Sequence, residues 1–425
     1  GRSTLSSLPN EDGLYLMKDE DQGRSLIKAT SSTLATISNA INVLMGVGLL
    51  SLPYALRESG WCGLFILAAC AMITVYTAIT LTKCCDTNQG ILTYSDIGYH
   101  AFGKPGRWCI GGLFYLELFV ACTMFLIVAG DNFNVFVPQH WHKWYYIVAG
   151  AMMLPSVWVS DLSLLANLSW LGILASAVLL VLILVMGLDP DTPHTPGNLN
   201  HPAGTSFLRY ETFPLCLGLI MVGFVAHPVF PTLYRSMKKP EHFPFALQIT
   251  YVAVVIFYAA IAVCGYLVWG DQVKQEVTLN LGSKGLGTVG VALFVLLPFT
   301  KYGLTMQPVA LSVDSVMATY LDSRSAKFVT FRFLFRTLLV MFTILLAIVV
   351  PNFTTPLAIC GSLCSFTSSV TFPCLCYLKL CGPQIGIIER CVNYFLVAFG
   401  VTGAVCGTVA VLIINSNTGF THAYT

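Results

Sequence analysis

Eleven apolar runs, each near the roughly 20 residues that a helix needs to cross a bilayer, dominate this sequence. They cover residues 32–56, 61–81, 108–136, 145–159, 162–188, 211–234, 245–269, 286–317, 328–350, 355–378 and 391–415. Hydrophobic residues make up 56% of the 425 and charged residues only 10%, against about 25% charged in soluble domains. A chain of this kind cannot hide its apolar surface by folding on itself in water, whereas a bilayer accepts that surface on every side. The expectation is an all-α integral membrane protein in contact with lipid. A net charge of +2 gives no footing for nucleic acid.

The polar segments divide the runs. Residues 1–30, polar and mixed in charge with no apolar centre, read as a disordered cytoplasmic tail rather than a signal peptide. Residues 31–188 hold five runs, the proline-bearing stretch 189–210 reads as a luminal linker, 211–380 hold five more, and 381–425 hold the eleventh with a short luminal tail. Lysine and arginine favour the cytoplasmic side. With the N-terminus there, only Arg57, Lys143, Arg209, Lys274 and Lys284 fall on the far side, while Lys301, Arg332 and Arg336 lie within runs. Arg332 and Arg336 read as interfacial anchors. Most of the 15 cysteines sit inside apolar runs; Cys360 and Cys364 share a helix face at i, i+4, but no histidine lies nearby and no second pair has zinc-ligand spacing, so no metal or other cofactor is expected.

The first run contradicts its own composition. Residues 37–54, ISNAINVLMGVGLLSLPY, carry Gly46, Gly48 and Pro53 at a depth where a spanning helix should be regular. The sixth run repeats the interruption over 223–231, GFVAHPVFP. Unpaired backbone in hydrocarbon costs roughly several kcal/mol, so it persists where it lines a cavity or holds a ligand. Matched breaks in two groups of five helices are the signature of a 5+5 inverted repeat with its site near the midplane; two merely kinked, packed helices are the alternative. Half-helix N-termini offer amide donors and C-termini offer carbonyls, a pairing suited to a zwitterionic amino acid. The expected contacts are Asn42, Gly46, Val47, Gly48, Leu49 and Ser51 on one wall and Phe224, Val225, Ala226 and His227 on the other. Asn39 and Asn42 can share one helix face; for Asn42 helix–helix hydrogen bonding stands beside ligand contact.

Seven segments in order, GVGLLSLPYALRESGW, YSDIGYHAFGKPGR, GDNFN, LPSVWVSDL, AHPVFPTLYRSMKKP, TLNL and PFTKYGLTMQPVALS, resemble the amino acid/auxin permease family. Within it the chain is similar to the vacuolar amino acid transporter branch, related to the vesicular inhibitory amino acid transporter. The resemblance implies eleven transmembrane helices in a LeuT-like fold, broken helices 1 and 6, and proton-coupled movement of amino acids, often across a vacuolar membrane.

Charged groups inside spans are functional candidates. Glu117 is a proton site, a partner for Lys301, or a cap for a broken helix. Lys301, with Thr300 beside it, lies where sodium-driven transporters of this fold hold a cation between the first and eighth helices; by that analogy its ammonium replaces sodium, and coupling runs through protons. The alternative is a snorkelling or paired lysine. His227 either touches the substrate pocket and titrates between cytosol and an acidic lumen, or stays neutral and caps backbone freed by Pro228. Asp96 and His100 form a gate or a solvated loop. With so few charges near the site, neutral substrates are expected. The reading is a monomeric antiporter of protons and neutral amino acids at a vacuole or similar compartment. A symporter toward the cytosol and an amino acid sensor are the rivals, and nothing has catalytic spacing for an enzyme.

Overall fold

The computed structural model describes residues 14–16, 26–28, 31–137, 143–158, 162–189, 195–282, 286–318, 320–321, 325–350 and 352–418, with the side chains of both strands and of 162–171, 286, 297, 300, 315 and 415–418 excepted. The expected tail before residue 31 lies largely outside this set. Within it, β1 (Leu14–Leu16) pairs antiparallel with β2 (Leu26–Lys28).

Ser32 accepts a hydrogen bond from the Ala35 amide at 3.2 Å and caps α1 (Thr33–Leu44). The helix ends at Met45, Gly46 is extended (φ −96°, ψ −162°), and a 3-10 turn over Val47–Ser51 leads into α2 (Leu52–Ser59). Pro53 sits in the first turn of α2, where its missing N–H leaves no bond unmade. Gly60, at φ +69° with the backbone of Phe207 2.6 Å from where a Cβ would stand, turns the chain into α3 (Gly63–Asp86).

Thr93 and Asp96 cap α4 (Tyr94–Phe136) reciprocally, and Gly103, at φ +71° ahead of Pro105, splits a short arm from its main body. Asp96 also pairs with Arg107 at 3.3 Å, which makes it part of a helix start rather than a free loop. Then follow α5 (Trp144–Trp158), α6 (Leu162–Leu188) and the irregular residues 195–212. The sixth run is α7 (Phe213–Met221), a 3-10 turn over Val222–Phe224, irregular backbone at 225–229, and α8 (Phe230–Ser236). The chain continues through α9 (Phe243–Trp269), α10 (Leu286–Met317) and α11 (Ala326–Val349). The tenth run departs from regular helix: α12 (Thr354–Ile359) widens into π turns over Cys360–Ser365 and Thr367–Thr371 before α13 (Phe372–Leu380). Its partner is α7, where Gly218 and Gly361 bring backbones so close that a Cβ on either would overlap the other element. The last helix is α14 (Ile387–Thr418).

Among the described residues, seven helical stretches are long and apolar enough to cross a membrane: Val47–Asp86, Tyr94–Phe136, Pro240–Gln272, Gly287–Asp314, Ala326–Val349, Thr354–Leu380 and Ile387–Ile414. Thr33–Leu44, Gly172–Leu188 and Phe213–Phe224 are shorter apolar helices. The count falls below eleven partly because the sixth run is divided into pieces too short to qualify and the second part of the first run is joined to α3 in Val47–Asp86. Leu334, Leu338, Met341 and Leu345 on α11, and Val405, Val409 and Leu412 on α14, are exposed apolar side chains, an outer surface made for acyl chains.

α10 lies along α4 and α6, and α9 lies along α1 and α2. Ser31, just ahead of α1, bridges to the strand after α8: its amide donates to Ser236 O at 2.9 Å and its carbonyl accepts from Lys238 N at 3.0 Å. The starting end of α1 and the finishing end of α8 therefore share one side of the molecule. Arg336 is no interfacial anchor. It is 1% exposed and joins three helices, giving Nη1 to Val157 O at 2.6 Å on α5 and Nη2 to Asp314 at 2.7 Å on α10. The same carboxylate takes Arg332 at 3.4 Å, so the cost of burying the cation is offset by a charge partner and a carbonyl.

Candidate functional site

The two breaks face each other across a cavity of about 560 Å³. Asn42, Gly46, Val47 and Gly48 line it from the first break, and Val222, Val225 and Ala226 line it from the second. The breaks also touch: a Cβ on Gly48 would lie 3.0 Å from Val222 Cγ1 and 3.2 Å from the Gly223 backbone. Gly46 has open space around it, with nothing nearer its Cβ position than 3.9 Å.

The remaining wall comes from α4 and α10. Phe114, Glu117, Ala121 and Phe125 follow one face of α4; Lys301, Leu304, Pro308 and Leu311 follow one face of α10. Each set spans roughly three turns, about 15 Å at 1.5 Å per residue. The cavity thus runs from the breaks along the middle of α4 and the last half of α10. A second, much smaller cavity of about 20 Å³, room for one water, is bounded by Gly46, Leu49, Val128 and Lys301.

Lys301 binds the first break directly, its Nζ donating to the carbonyl of Met45, the residue at which α1 stops. A buried ammonium on a carbonyl orphaned by a helix end uses the partial negative charge found there. Glu117 is not ion-paired to Lys301 although both line the cavity; its Oε1 accepts from Ser368 Oγ at 3.0 Å, inside the second π turn. Tyr94 OH donates to Ser368 O at 2.5 Å, so the wide turns of the tenth run are met by side chains from α4.

Leu49, Ser51, Phe224 and His227 do not line the large cavity. Ser51 is fully buried and donates to Gly48 O at 2.9 Å, tightening the 3-10 turn. Phe224 stacks on Tyr251 with ring centroids 6.0 Å apart. His227 turns toward α3, its Nε2 2.9 Å from Thr77 Oγ1, whose hydrogen reaches Ser369 O at 2.7 Å. Of the two asparagines expected on one face, Asn42 reaches the cavity and Asn39 is exposed. The side chain of Thr300 lies outside the described residues.

Tyr258 on α9 was passed over in the sequence, where it sits unremarked in YVAVVIFYAAIAV. Its hydroxyl lies 2.5 Å from Leu44 O and 2.9 Å from Gly223 O, so one phenol serves a freed carbonyl from each break. The available signal was a tyrosine hydroxyl in an apolar helix, which normally finds a buried partner.

The family model "Transmembrane amino acid transporter protein" matches residues 29–413. The chain is 34% identical to amino acid transporter AVT1E of Arabidopsis thaliana, covering 96% of this chain and 82% of that protein. It is 36% identical to Arabidopsis AVT1D (89% and 69% covered), and 26% identical to the vesicular inhibitory amino acid transporter of Xenopus tropicalis (91% and 75% covered). Two solved structures share the fold: a Na⁺-coupled sialic acid symporter, TM-score 0.55 at 12% identity over 90% of this chain and 89% of that one, and MhsT in complex with L-phenylalanine, TM-score 0.50 at 15% identity over 90% and 97%. These relatives are transporters and not enzymes. An all-helical membrane transporter with LeuT-like structural neighbours, the chain belongs to the transmembrane amino acid transporter family.

Proposed function

We propose that this protein exchanges luminal protons for cytosolic neutral amino acids across a vacuolar or similar membrane by alternating access. The observation that carries the reading is the cavity bounded by both helix breaks, with Lys301 seated on the carbonyl where α1 ends. In this reading eleven spans form a 5+5 inverted repeat. The first five are α1 with α2, α3, α4, α5 and α6; the second five are α7 with α8, α9, α10, α11, and α12 with α13; α14 is additional, and the unit is a monomer.

The 3-10 turn starts at Val47, so the amides of Val47 and Gly48 head a helical segment without partners inside it. They receive the substrate carboxylate. The carbonyl of Val225, just past the 3-10 turn of the second break, receives the amine, while Val225 and Ala226 bound the side chain. Lys301 occupies the place of a coupling cation, and its protonation state governs whether the Met45 carbonyl is held. Glu117 faces the same cavity and tunes access through the π turns. Neutral substrates follow from a lining whose formal charges are Glu117 and Lys301 among the described residues.

The test is uptake of a panel of labelled amino acids into proteoliposomes with a pH gradient imposed in each direction. Counterflow of neutral amino acids against protons supports antiport. Co-movement with protons replaces it with symport, and absence of flux under either gradient overturns the transport reading.

A further inference from the structure

The segment between α9 and α10 buries a carboxyl that has no ion-pair partner among the described residues. Glu276 has none of its surface exposed; its Oε2 accepts from Asn132 Nδ2 at 3.4 Å and its Oε1 has no hydrogen-bond partner. Asn132, equally buried, gives its other amide hydrogen to Val128 O at 2.8 Å, and its Oδ1 is also without a partner. Asp131 accepts from Tyr146 OH at 2.7 Å. The buried Glu276 carboxyl and the Asn132 amide oxygen thus have too few donors, the half-buried Asp131 carboxyl stands on the adjoining residue, and among the described residues neither carboxyl has an ion-pair partner.

The nearby cations among the described residues are engaged elsewhere or exposed. Arg57 on α2 donates to Val273 O at 3.0 Å and pairs with Glu58 at 3.6 Å. Lys143 ahead of α5 donates to Ile348 O at 2.8 Å, Lys301 on α10 holds Met45, and Lys274 points to solvent. Gln275 uses its Oε1 on the Thr354 amide at 3.1 Å. Burial first, and the Asp131 carboxylate second, hold the Glu276 carboxyl well above the usual carboxylate range, against the opposing pull of Asn132. A charge on the buried Glu276 is disfavoured beside a second carboxylate, and no group of three His, Cys, Asp or Glu side chains among the described residues could hold a metal ion. A proton satisfies the orphaned oxygens with the least rearrangement.

We propose that Asp131 and Glu276 share one proton and form a second proton-binding site, at the end of α4 away from the large cavity. Val128, one turn before Asn132, lines the one-water cavity that Gly46 and Lys301 also bound. The site therefore stands about 6 Å along α4, one helical turn, from the water-sized space beside Lys301. On the transport reading, on which this last step alone rests, the pair exchanges its proton with the compartment opposite the start of α1.

Infrared spectra of the purified protein test the proton itself. At neutral pH the wild type should show a deuterium-sensitive carbonyl stretch of a protonated carboxylic acid that is lost in Glu276→Gln. In Asp131→Asn, where the like charge is gone, that band should titrate away at lower pH. Identical wild-type and E276Q spectra in this region overturn the site. Thermal stability gives a second reading: the folded state favours the protonated form, so wild-type stability should fall as pH rises through the folded titration, and E276Q should lose this fall. Stabilisation of the wild type, and not of E276Q, by sodium or calcium would overturn the assignment in favour of a cation. In proteoliposomes the pH dependence of flux on that side should be lost in E276Q. If the wild type carries no flux while the infrared band is present, the proton site stands and the transport reading falls.

Discussion

Gly46 and Gly48 lie two residues apart in one break, yet the structure asks different things of them. Nothing crowds Gly46, and its extended backbone is open to any residue, whereas Gly48 packs on the backbone of the facing break. Gly46→Ala should leave thermal stability within roughly 0.5 kcal/mol while raising KM severalfold, because the added methyl projects where the substrate backbone is proposed to lie. Gly48→Ala should lower both stability and flux, since Val222 can shift and Gly223 cannot. Equal KM values for wild type and Gly46→Ala would remove the substrate from this wall. Tyr258→Phe takes from Leu44 O and Gly223 O a donor that they share, and a buried group left unsatisfied costs about 1–3 kcal/mol; a corresponding drop in the detergent melting temperature checks it. Lys301→Met should make amino acid flux insensitive to the imposed pH gradient, and flux that still follows the gradient would release Lys301 from coupling. The two breaks were legible because glycine and proline announce themselves against an apolar background. The direction each side chain takes was not: His227 and Phe224 belong to the second interrupted stretch by sequence, but irregular backbone obeys no period, so nothing foretold that they turn to α3 and α9.

At the scale of elements, the sequence yields most where a run is regular. Helices fall on all eleven apolar runs, and Pro53 opens a half-helix as its fixed φ suggests. The π turns between α12 and α13 had no such marker, for their residues read as ordinary helix; the first of them lies where α7 approaches through Gly218 and Gly361. Substituting Gly361→Ala should therefore cost more than an average helix glycine, which gains about 1 kcal/mol from alanine. Overlap with a backbone carbonyl that cannot retreat predicts net destabilisation of about 1–3 kcal/mol, read as a lower melting temperature and poorer yield. Arg336 misled for a related reason. A basic residue near the end of an apolar run normally reaches for headgroups, and its buried partners Asp314 and Val157 stand 22 and 179 residues away.

For the whole molecule, composition alone decided the solvent, and the exposed apolar faces of α11 and α14 agree with it. The coupling ion is a property of the same scale. If the Lys301 ammonium stands in for a metal cation, replacing sodium by choline on both sides should leave uptake unchanged, and a strict sodium requirement would refute the scheme. The small bridge between Ser31 and the residues after α8 bears on how such a molecule is worked from outside. It fastens the leading end of one broken helix to the trailing end of the other, so in the proposed alternating access these half-helices move together. A bulky group or a binding protein placed at Ser31 would then act as a brake on both half-helices at once, without ever approaching the substrate.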